Sequence, residues 1–165
     1  MCTEIQIENT GSSGSCGRLG FPRTMILIEM PWGRDKDPRV PLGHASLLAS
    51  LRKFGKGEII SIVAPINDPM TTSESLNSKI MRIVKSGKDI DLAIGAYVWS
   101  EDVVKRLLTQ VRTSGFSGRI ILGGPQISYT PSGLEELYPE ADIFVRGYGE
   151  VAIVALFNNP ELKNI

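Results

Sequence analysis

The sequence predicts an α/β fold: a five-stranded parallel sheet of order 2-1-3-4-5 with helices on both faces. Apolar runs alternate with amphipathic helical periods from Thr24 onward, and the last two runs stop abruptly at glycines. Strands that are apolar on both faces are typical of parallel sheets covered by helices. Right-handed crossovers leave few alternatives to this strand order.

Each predicted element corresponds to one segment of this alternating pattern. The runs predicted as buried strands are Met25–Met30, Ile59–Ala64, Leu92–Val98, Arg119–Leu122 and Ile143–Val145. The helical periods are Leu42–Phe54, Ser73–Val84, Glu101–Val111, a short one at Gly133–Leu137, and a last one at Glu150–Phe157. Such spacing favours a flavodoxin-like (Rossmann-like) arrangement.

Length and composition predict one domain between two short flanking segments. A chain of 165 residues with 42% hydrophobic residues can bury one sizeable core. Residues 1–22 carry a Gly/Ser-rich stretch that cannot bury a face, so we interpret them as a flexible leader outside the fold. The domain is expected over residues 23–157, followed by a linker stump at 158–165.

Charge and cysteine content exclude several classes of function. Lys plus Arg equal Asp plus Glu at 18 each, so no net field attracts nucleic acid or an anionic membrane. No apolar run approaches the length of a membrane span. Cys2 and Cys16 are too few for a disulfide framework and lack metal-ligand partners nearby. We therefore expect reduced thiols on a cytoplasmic protein.

Common catalytic and nucleotide-binding motifs are missing. The sequence has no Walker-type phosphate loop, no Gly-x-Ser-x-Gly elbow and no Gly-x-Gly-x-x-Gly after the first predicted strand. A Ser/Thr-rich phosphate loop for flavin is absent there too. A phosphoacceptor receiver would need acidic residues at the ends of the first and third strands. Glu29 lies within its run, and Asp89 and Asp91 fall at the wrong end of theirs.

Glycine breaks at two strand ends point to a ligand site. Ile120–Pro125 ends in Gly-Gly-Pro, and Asp142–Glu150 ends in Gly-Tyr-Gly-Glu. Glycine leaves bare backbone at the carboxyl end of a strand, and this edge of a parallel sheet is where ligands bind. The two breaks predict one crevice in which a large ligand lies close to the backbone.

Two further segments are expected at the same edge. Pro31–Gly43 is long for a connection between a strand and a helix, and such loops are often functional, although a mobile surface loop is the alternative. After the third strand, Tyr97 and Trp99 are expected to point toward the crevice unless they are core aromatics. Ser100 is a candidate N-cap of the next helix.

His44 is the one histidine of the chain, and it lies in the first turn of the first predicted helix. A neutral imidazole there could accept a metal ion or a proton. A single histidine without a second ligand at metal spacing is more often an ordinary helix residue, and both interpretations stay open.

The ordered set of motifs resembles the amino-terminal cobalamin (B12)-binding domain of B12-dependent radical S-adenosylmethionine enzymes. The resemblance covers about residues 24 to 157. Tyr148 departs from the glutamate that is common at this position. The motifs that carry the resemblance are Pro41-Leu42-Gly43 with Leu48, Ala49, Leu51 and Gly55; Ile94-Gly95 with Tyr97–Ser100; Ile121–Pro125; and Asp142 with Val145–Glu150.

The resemblance implies a flavodoxin-like fold with the corrin ring over the carboxyl ends of the strands and the nucleotide tail in a slot. It assigns no catalytic residue and no metal ligand. The loop at Pro31–Gly43 would lie below the cobalt. The implied cofactor-binding residues are Pro41, Leu42, Gly43, Tyr97, Val98, Trp99, Ser100, Gly123, Gly124, Pro125, Gly147, Tyr148, Gly149 and Glu150.

The resemblance further implies base-off cobalamin without a protein histidine ligand. Leu42 and Leu47 stand where an Asp-x-His-x-x-Gly signature around His44 would need Asp and Gly. The radical chemistry needs three cysteines for an iron–sulfur cluster, and this chain has two. Catalysis is therefore not expected from the chain alone, and S-adenosylmethionine chemistry would need a partner barrel protein or a missing C-terminal barrel.

Two functions from different classes remain. The first is a cobalamin-binding module of a methyltransferase-type radical S-adenosylmethionine system. The second is a regulatory or remnant α/β module that binds no corrinoid and acts through protein contacts.

Overall fold

The computed structural model describes residues 6–8, 23–85 and 89–162. A short 3₁₀ turn at Val98–Ser100 leads into the helix that begins at Glu101. The strands are β1 (Gln6–Glu8), β2 (Thr24–Glu29), β3 (Glu58–Val63), β4 (Ile90–Gly95), β5 (Ile120–Gly123) and β6 (Ile143–Phe144). The helices are α1 (Leu42–Phe54), α2 (Ser73–Val84), α3 (Glu101–Thr113), α4 (Pro125–Tyr129), α5 (Leu134–Leu137) and α6 (Gly149–Asn158).

The sheet has the order β1-β3-β2-β4-β5-β6. Its strands β2 to β6 are all parallel, which confirms the predicted 2-1-3-4-5 order and the flavodoxin-like α/β fold. At one edge β1 pairs antiparallel with β3, which differs from the expectation that residues 1–22 lie outside the fold. Three residues are too few to give a periodic signal, so the pairing could be found only in the folded chain. The rest of residues 1–22 lies outside the described part.

Two apolar layers enclose the sheet. Residues of one parity on β2, such as Ile26 and Ile28, pack against α2 and α3. Residues of the other parity, Met25 and Leu27, pack against α1 and α6. The alternation follows from the two-residue period of a strand, and it decides which side chains can reach a ligand on each face. No helix in the described ranges combines the length and apolarity needed to cross a bilayer.

The helix starts differ in how they are capped. At α2, the Thr72 side chain accepts from Ser75 N while Ser75 Oγ accepts from Thr72 N, which is a capping box. At α1, Pro41 precedes the helix and contributes no capping hydrogen bond, and no acidic residue lies in the first turn. The first backbone N–H groups of α1 therefore lie at the carboxyl edge of the sheet, and no side chain caps them.

Several predicted boundaries differ from the structure, and one helix was not predicted. The third predicted strand ends at Gly95 rather than Val98, because the chain turns into 3₁₀ geometry after Tyr97. Helix α4 was not predicted, and it begins with Pro125 at its first position, where the missing N–H costs nothing. Beyond α6, Arg119 donates to the carbonyls of Pro160 and Leu162, so this described part of the expected linker lies against the domain.

Candidate functional site

A cavity of about 520 Å³ opens at the carboxyl edge of the sheet, between β2, β4 and β5 on one side and α1 and α6 on the other. Small residues on the two central strands make the space. Ala93 and Gly95 lie on β4, and Gly123 lies on β5. Larger side chains at these positions would fill the layer between sheet and helices, so the hollow is a direct consequence of residue size.

The inner wall of the cavity is apolar. Its side chains belong to the core layer under α1 and α6, and most of them are buried. A wall of this kind takes up an uncharged, flat or aliphatic group, whereas a phosphate would lose its hydration without replacement. The apolar lining consists of Leu27, Leu47, Ala93, Ile121, Val145 and Ile153.

A polar bridge joins the two helices at the cavity. Ser46 Oγ of α1 donates to Glu150 Oε1 of α6 at 2.7 Å. This hydrogen bond is the main cause that lowers the pKa of the Glu150 carboxyl below its usual range. Glu150 is thus an ionised group at the start of α6, where the helix dipole also favours negative charge.

Glu29 and Tyr97 form a second polar pair inside the cavity. Glu29 is only 4% exposed, and burial raises the pKa of its carboxyl, an effect that a hydrogen bond with Tyr97 partly offsets. Burial and the bond to Glu29 raise the pKa of Tyr97, so its hydroxyl is the donor. Glu29 is not among the residues predicted for the site from the sequence. The signal in the sequence that could have identified it is a charged residue in a mostly apolar strand, on the same face as Met25 and Leu27.

The segment after β4 divides between wall and surface. Tyr97 lines the cavity, and Trp99 stacks on it with ring centroids 4.8 Å apart. Trp99 Nε1 donates to Met30 O at 3.1 Å, so Trp99 supports Tyr97 from outside and does not line the cavity. Ser100 precedes α3 as expected but makes no cap bond, since its hydroxyl donates to Tyr97 O instead. Val98 is exposed outside the cavity.

The two glycines after β5 have different roles. A Cβ on Gly123 would lie 3.6 Å from Val145 O, an ordinary contact, so this position faces available space. Gly124 has φ +99°, and a Cβ there would lie 2.8 Å from Ala96 O. The bare backbone at Gly124 therefore accommodates the chain after β4, although Gly124 also lines the cavity. That Gly124 takes part in cofactor binding stays a prediction.

The remaining predicted residues lie around the opening. Gly147 has φ +72° and no atom within 4 Å of a built Cβ, so its glycine serves the turn before α6. Pro41 does not line the cavity. Among the sequence-predicted residues, those that do line it are Leu42, Gly43, Tyr97, Gly123, Gly124, Pro125, Gly147, Tyr148, Gly149 and Glu150.

The long loop between β2 and α1 is held by the loop after β3. Gly33 N donates to Asn67 Oδ1, and Asn67 Nδ2 donates to Gly33 O, each at 2.8 Å. Residues 34–40 are exposed. Two hydrogen bonds thus hold the loop beside the edge of the sheet. Of the predicted segment Pro31–Gly43, only Leu42 and Gly43, which begin α1, line the cavity.

His44 faces away from the cavity. Its ring is 1% exposed, and Nε2 lies 2.7 Å from Ser61 Oγ on β3. Burial lowers the pKa of the imidazole to about 4, so it is neutral at pH 7. This position supports the interpretation of His44 as an ordinary helix residue. Across the described ranges, no three His, Cys, Asp or Glu side chains come together as a metal site.

Large apolar side chains are exposed near the carboxyl edge of the sheet, and two of them, Leu42 and Tyr148, line the opening. Leu42 is 84% exposed, and Tyr148 is 95% exposed. All of them stand at helix starts or turns that follow the carboxyl ends of strands. Exposed apolar side chains that cluster at one edge typically mark a binding face. We call this set the apolar rim: Leu42, Val98, Tyr148 and Val151.

A second depression, of about 600 Å³, lies along β6 and α5. Its lining is more polar and includes Glu135, Asp142 and Arg146. None of the sequence-predicted site residues belongs to it. The cavity at the carboxyl edge is therefore the candidate site.

Comparison with known proteins supports the fold. No family model matches the chain, and no curated protein does. Among solved structures, the chain is similar to the apo form of the cobalamin-dependent S-adenosylmethionine radical enzyme OxsB, with a TM-score of 0.58 and 19% identity. The similarity covers 83% of this chain and 18% of that one, so the chain spans less than a fifth of the enzyme's length. At this identity, the two share a fold.

Proposed function

We propose that this chain is a cobalamin-binding module of a methyltransferase-type radical S-adenosylmethionine system. One observation carries the proposal: an apolar cavity made by Ala93, Gly95 and Gly123 opens beneath the apolar rim at the carboxyl edge of a parallel sheet. In open α/β folds this edge is the usual ligand site. The fold shared with a cobalamin-dependent enzyme supports the same choice of ligand.

The residues present fit such a ligand in size and polarity. A cavity of about 520 Å³ lies within the range of pockets for drug-sized molecules and cannot enclose a whole cobalamin. The flat, uncharged base at the end of the nucleotide tail would enter between the sheet and helices α1 and α6, past Gly123, while the phosphate of the tail would stay outside the apolar wall. The corrin ring would remain outside, where the apolar rim and the backbone amides of Gly147 to Glu150 are available to it. Bound cobalamin would supply a cobalt-borne methyl group for transfer.

The proposal includes the base-off form without a histidine ligand. His44 contacts Ser61 beneath α1, so its ring is turned toward β3 and away from the cavity. Burial accounts for the neutral state of the imidazole at pH 7. The chain's own contribution is to bind and orient the cofactor and to exclude water from its tail. Reductive cleavage of S-adenosylmethionine would come from a barrel that carries three cluster cysteines, on a partner or a further domain.

The second candidate is a module that acts through protein contacts and binds no corrinoid. The apolar rim supports it, because a protein partner could cover Leu42, Tyr148 and Val151 as well as a flat ligand could. The deep cavity under the rim favours the first candidate, since a protein interface has no need of a hollow reaching the buried side chain of Ile121.

Titration with hydroxocobalamin, followed by visible absorbance, tests the proposal. We expect saturable binding and the spectrum of base-off cobalamin, because the tail would occupy the cavity. His44→Ala should leave the cobalt spectrum unchanged. Absence of binding would favour the protein-contact module, and a spectral change in the His44 variant would make His44 a cobalt ligand.

A further inference from the structure

The cavity contains a buried carboxyl group that the proposed function does not use. Glu29 is the last residue of β2, and it lies on the same face as Met25 and Leu27, under α1 and α6. It is 4% exposed and lines the cavity. A charged residue in this position is unusual, since carboxylates are almost never fully buried unless they are paired.

The neighbouring strand is built to receive this side chain. A Cβ on Gly95 would lie 2.3 Å from Glu29 Oε2, so the carboxyl occupies the space above the bare backbone of β4. Tyr97 donates a hydrogen bond to it, and Trp99 stacks on the ring of Tyr97. Since Trp99 is itself bonded to Met30 O, the carboxyl is held in one place by a supported aromatic ring.

The surroundings of Glu29 supply no positive charge. Helix α1 presents Ser46, whose hydroxyl is donated to Glu150 of α6, while His44 is turned toward β3. The loop after β4 presents Tyr97. Neither lysine, arginine nor histidine is found among the described residues that line the cavity.

This arrangement leaves the carboxyl short of partners. An ionised carboxylate offers about four acceptor positions, and the Tyr97 hydroxyl is the neighbouring donor that lowers its pKa. When a ligand displaces the remaining water, a charged and uncompensated Glu29 would be strongly disfavoured. A protonated Glu29 has an O–H to donate and avoids this penalty.

We propose that Glu29 is the polar recognition residue of the cavity: it binds the ligand as a neutral carboxylic acid, donates to an uncharged acceptor such as a ring nitrogen, and takes up a proton on binding. Tyr97 is its positioning residue. The inference rests on the proposed function, because the base of the nucleotide tail, which would enter the cavity, carries an uncharged ring nitrogen that can accept a hydrogen bond. It also predicts that the cavity rejects anionic groups at this point.

Calorimetric titration with methylcobalamin, in two buffers that differ in ionisation enthalpy, measures the proton directly. At pH values above the pKa of free Glu29, we expect uptake approaching one proton. Glu29→Gln keeps a donor of the same shape, so it should lose less than about tenfold in affinity and show no uptake. Glu135→Gln, which removes an exposed carboxylate outside the cavity, should retain the uptake.

Tyr97→Phe gives a second measurement, and its result would not change if Tyr97 had a purely structural role. The Tyr97 hydroxyl favours the ionised carboxylate, so its removal should raise the pKa of Glu29 and shift the onset of proton uptake to higher pH. Binding without proton uptake at any pH from about 5 to about 9, or uptake that persists in Glu29→Gln, would overturn the inference alone. Failure of the unmodified protein to bind would overturn the proposed function with it.

Discussion

His44 illustrates how one residue can be conspicuous in a sequence and ordinary in a structure. It is the one histidine of the chain and follows a long loop, so it was a candidate ligand. In the fold it lies on the buried side of α1, with Nε2 against Ser61 and Nδ1 buried without a partner. A neutral imidazole tolerates this environment, whereas a protonated one would need a second acceptor.

The burial of His44 predicts a pH-dependent stability. The folded-state pKa of about 4 lies below the unfolded value of 6.5, so the unfolded chain binds the proton more readily. The contribution of neutral His44 to the free energy of unfolding is therefore fully present above about pH 6.5. It falls by at most about 3 kcal/mol as the pH falls toward 4. Urea unfolding at several pH values should show this loss.

His44→Gln is the matched control because glutamine can bond to Ser61 but does not titrate. The difference in unfolding free energy between the two proteins should be flat above pH 6.5 and should shrink below it. An identical pH profile for both would contradict the assignment of His44 as a buried neutral residue.

At the scale of elements, the junction of β5 and α4 combines two functions in adjacent glycines. Gly123 ends the strand and leaves space in the cavity. Gly124 adopts φ +99°, and the chain after β4 crosses its bare backbone, where Gln126 N donates to Ala96 O. The first glycine is open to the ligand, and the second allows two connections to pass each other.

Alanine substitutions should separate these roles. Gly124→Ala places a Cβ 2.8 Å from Ala96 O in a left-handed conformation and should lower the unfolding free energy by about 1–3 kcal/mol. Gly123→Ala meets only ordinary contacts and should leave stability unchanged or raise it by up to about 1 kcal/mol. Urea unfolding of both variants measures the difference, and equal losses would contradict the assignment.

Gly123→Val then tests the slot. Its branched side chain should fill the cavity and abolish cobalamin binding in a protein that remains folded, as seen by circular dichroism and by visible absorbance after titration. Tight binding by the folded variant would place the tail elsewhere. Gly124→Val is the poorer test, because it would lose structure and binding together.

Across the whole molecule, a buried ion cluster at the amino edge links segments far apart in sequence. Asp91 on β4 is fully buried, and both Arg23 and Arg119 hold its carboxylate through paired hydrogen bonds of 2.7 to 2.9 Å. Arg119 also donates to the carbonyl oxygens of Leu156 and Leu162. The cluster therefore joins the start of β2, the central strand and the segment beyond α6.

Asp91→Asn should lower the unfolding free energy by about 3–5 kcal/mol, because two partly buried guanidinium groups lose their counter-charge. Burial alone would raise the pKa of Asp91, but the hydrogen bonds from Arg119 and Arg23 outweigh it and lower the pKa. This stabilisation is present above the unfolded-state pKa and is lost as the pH falls through the folded one. Urea unfolding measures it, with Asp35→Asn on the exposed loop as the control. A loss no greater than that of the control would show that the cluster is energetically neutral.

The sequence alone determined the parallel sheet and its order, and it predicted the edge at which a ligand would lie. These follow from local patterns: apolar runs define strands such as β2 and β4, helical periods define α1 and α2, and glycine breaks mark the carboxyl ends. The period of a strand or helix is written in consecutive residues and needs no knowledge of distant ones. Even so, β4 ended at Gly95, before the predicted boundary, because apolar residues also occur in turns.

Only the tertiary structure decided which of these residues share a space. Glu29 was left out of the site because its role depends on Gly95, which lies on a strand that is adjacent in the sheet but distant in sequence. The close approach of Ala96 to Gly124 could not be predicted, because nothing in the sequence around Gly124 shows that Ala96 crosses it. His44 and Ser61 meet for the same reason. A sequence pattern records the period of an element, whereas the contact that gives a residue its function depends on how separate elements pack.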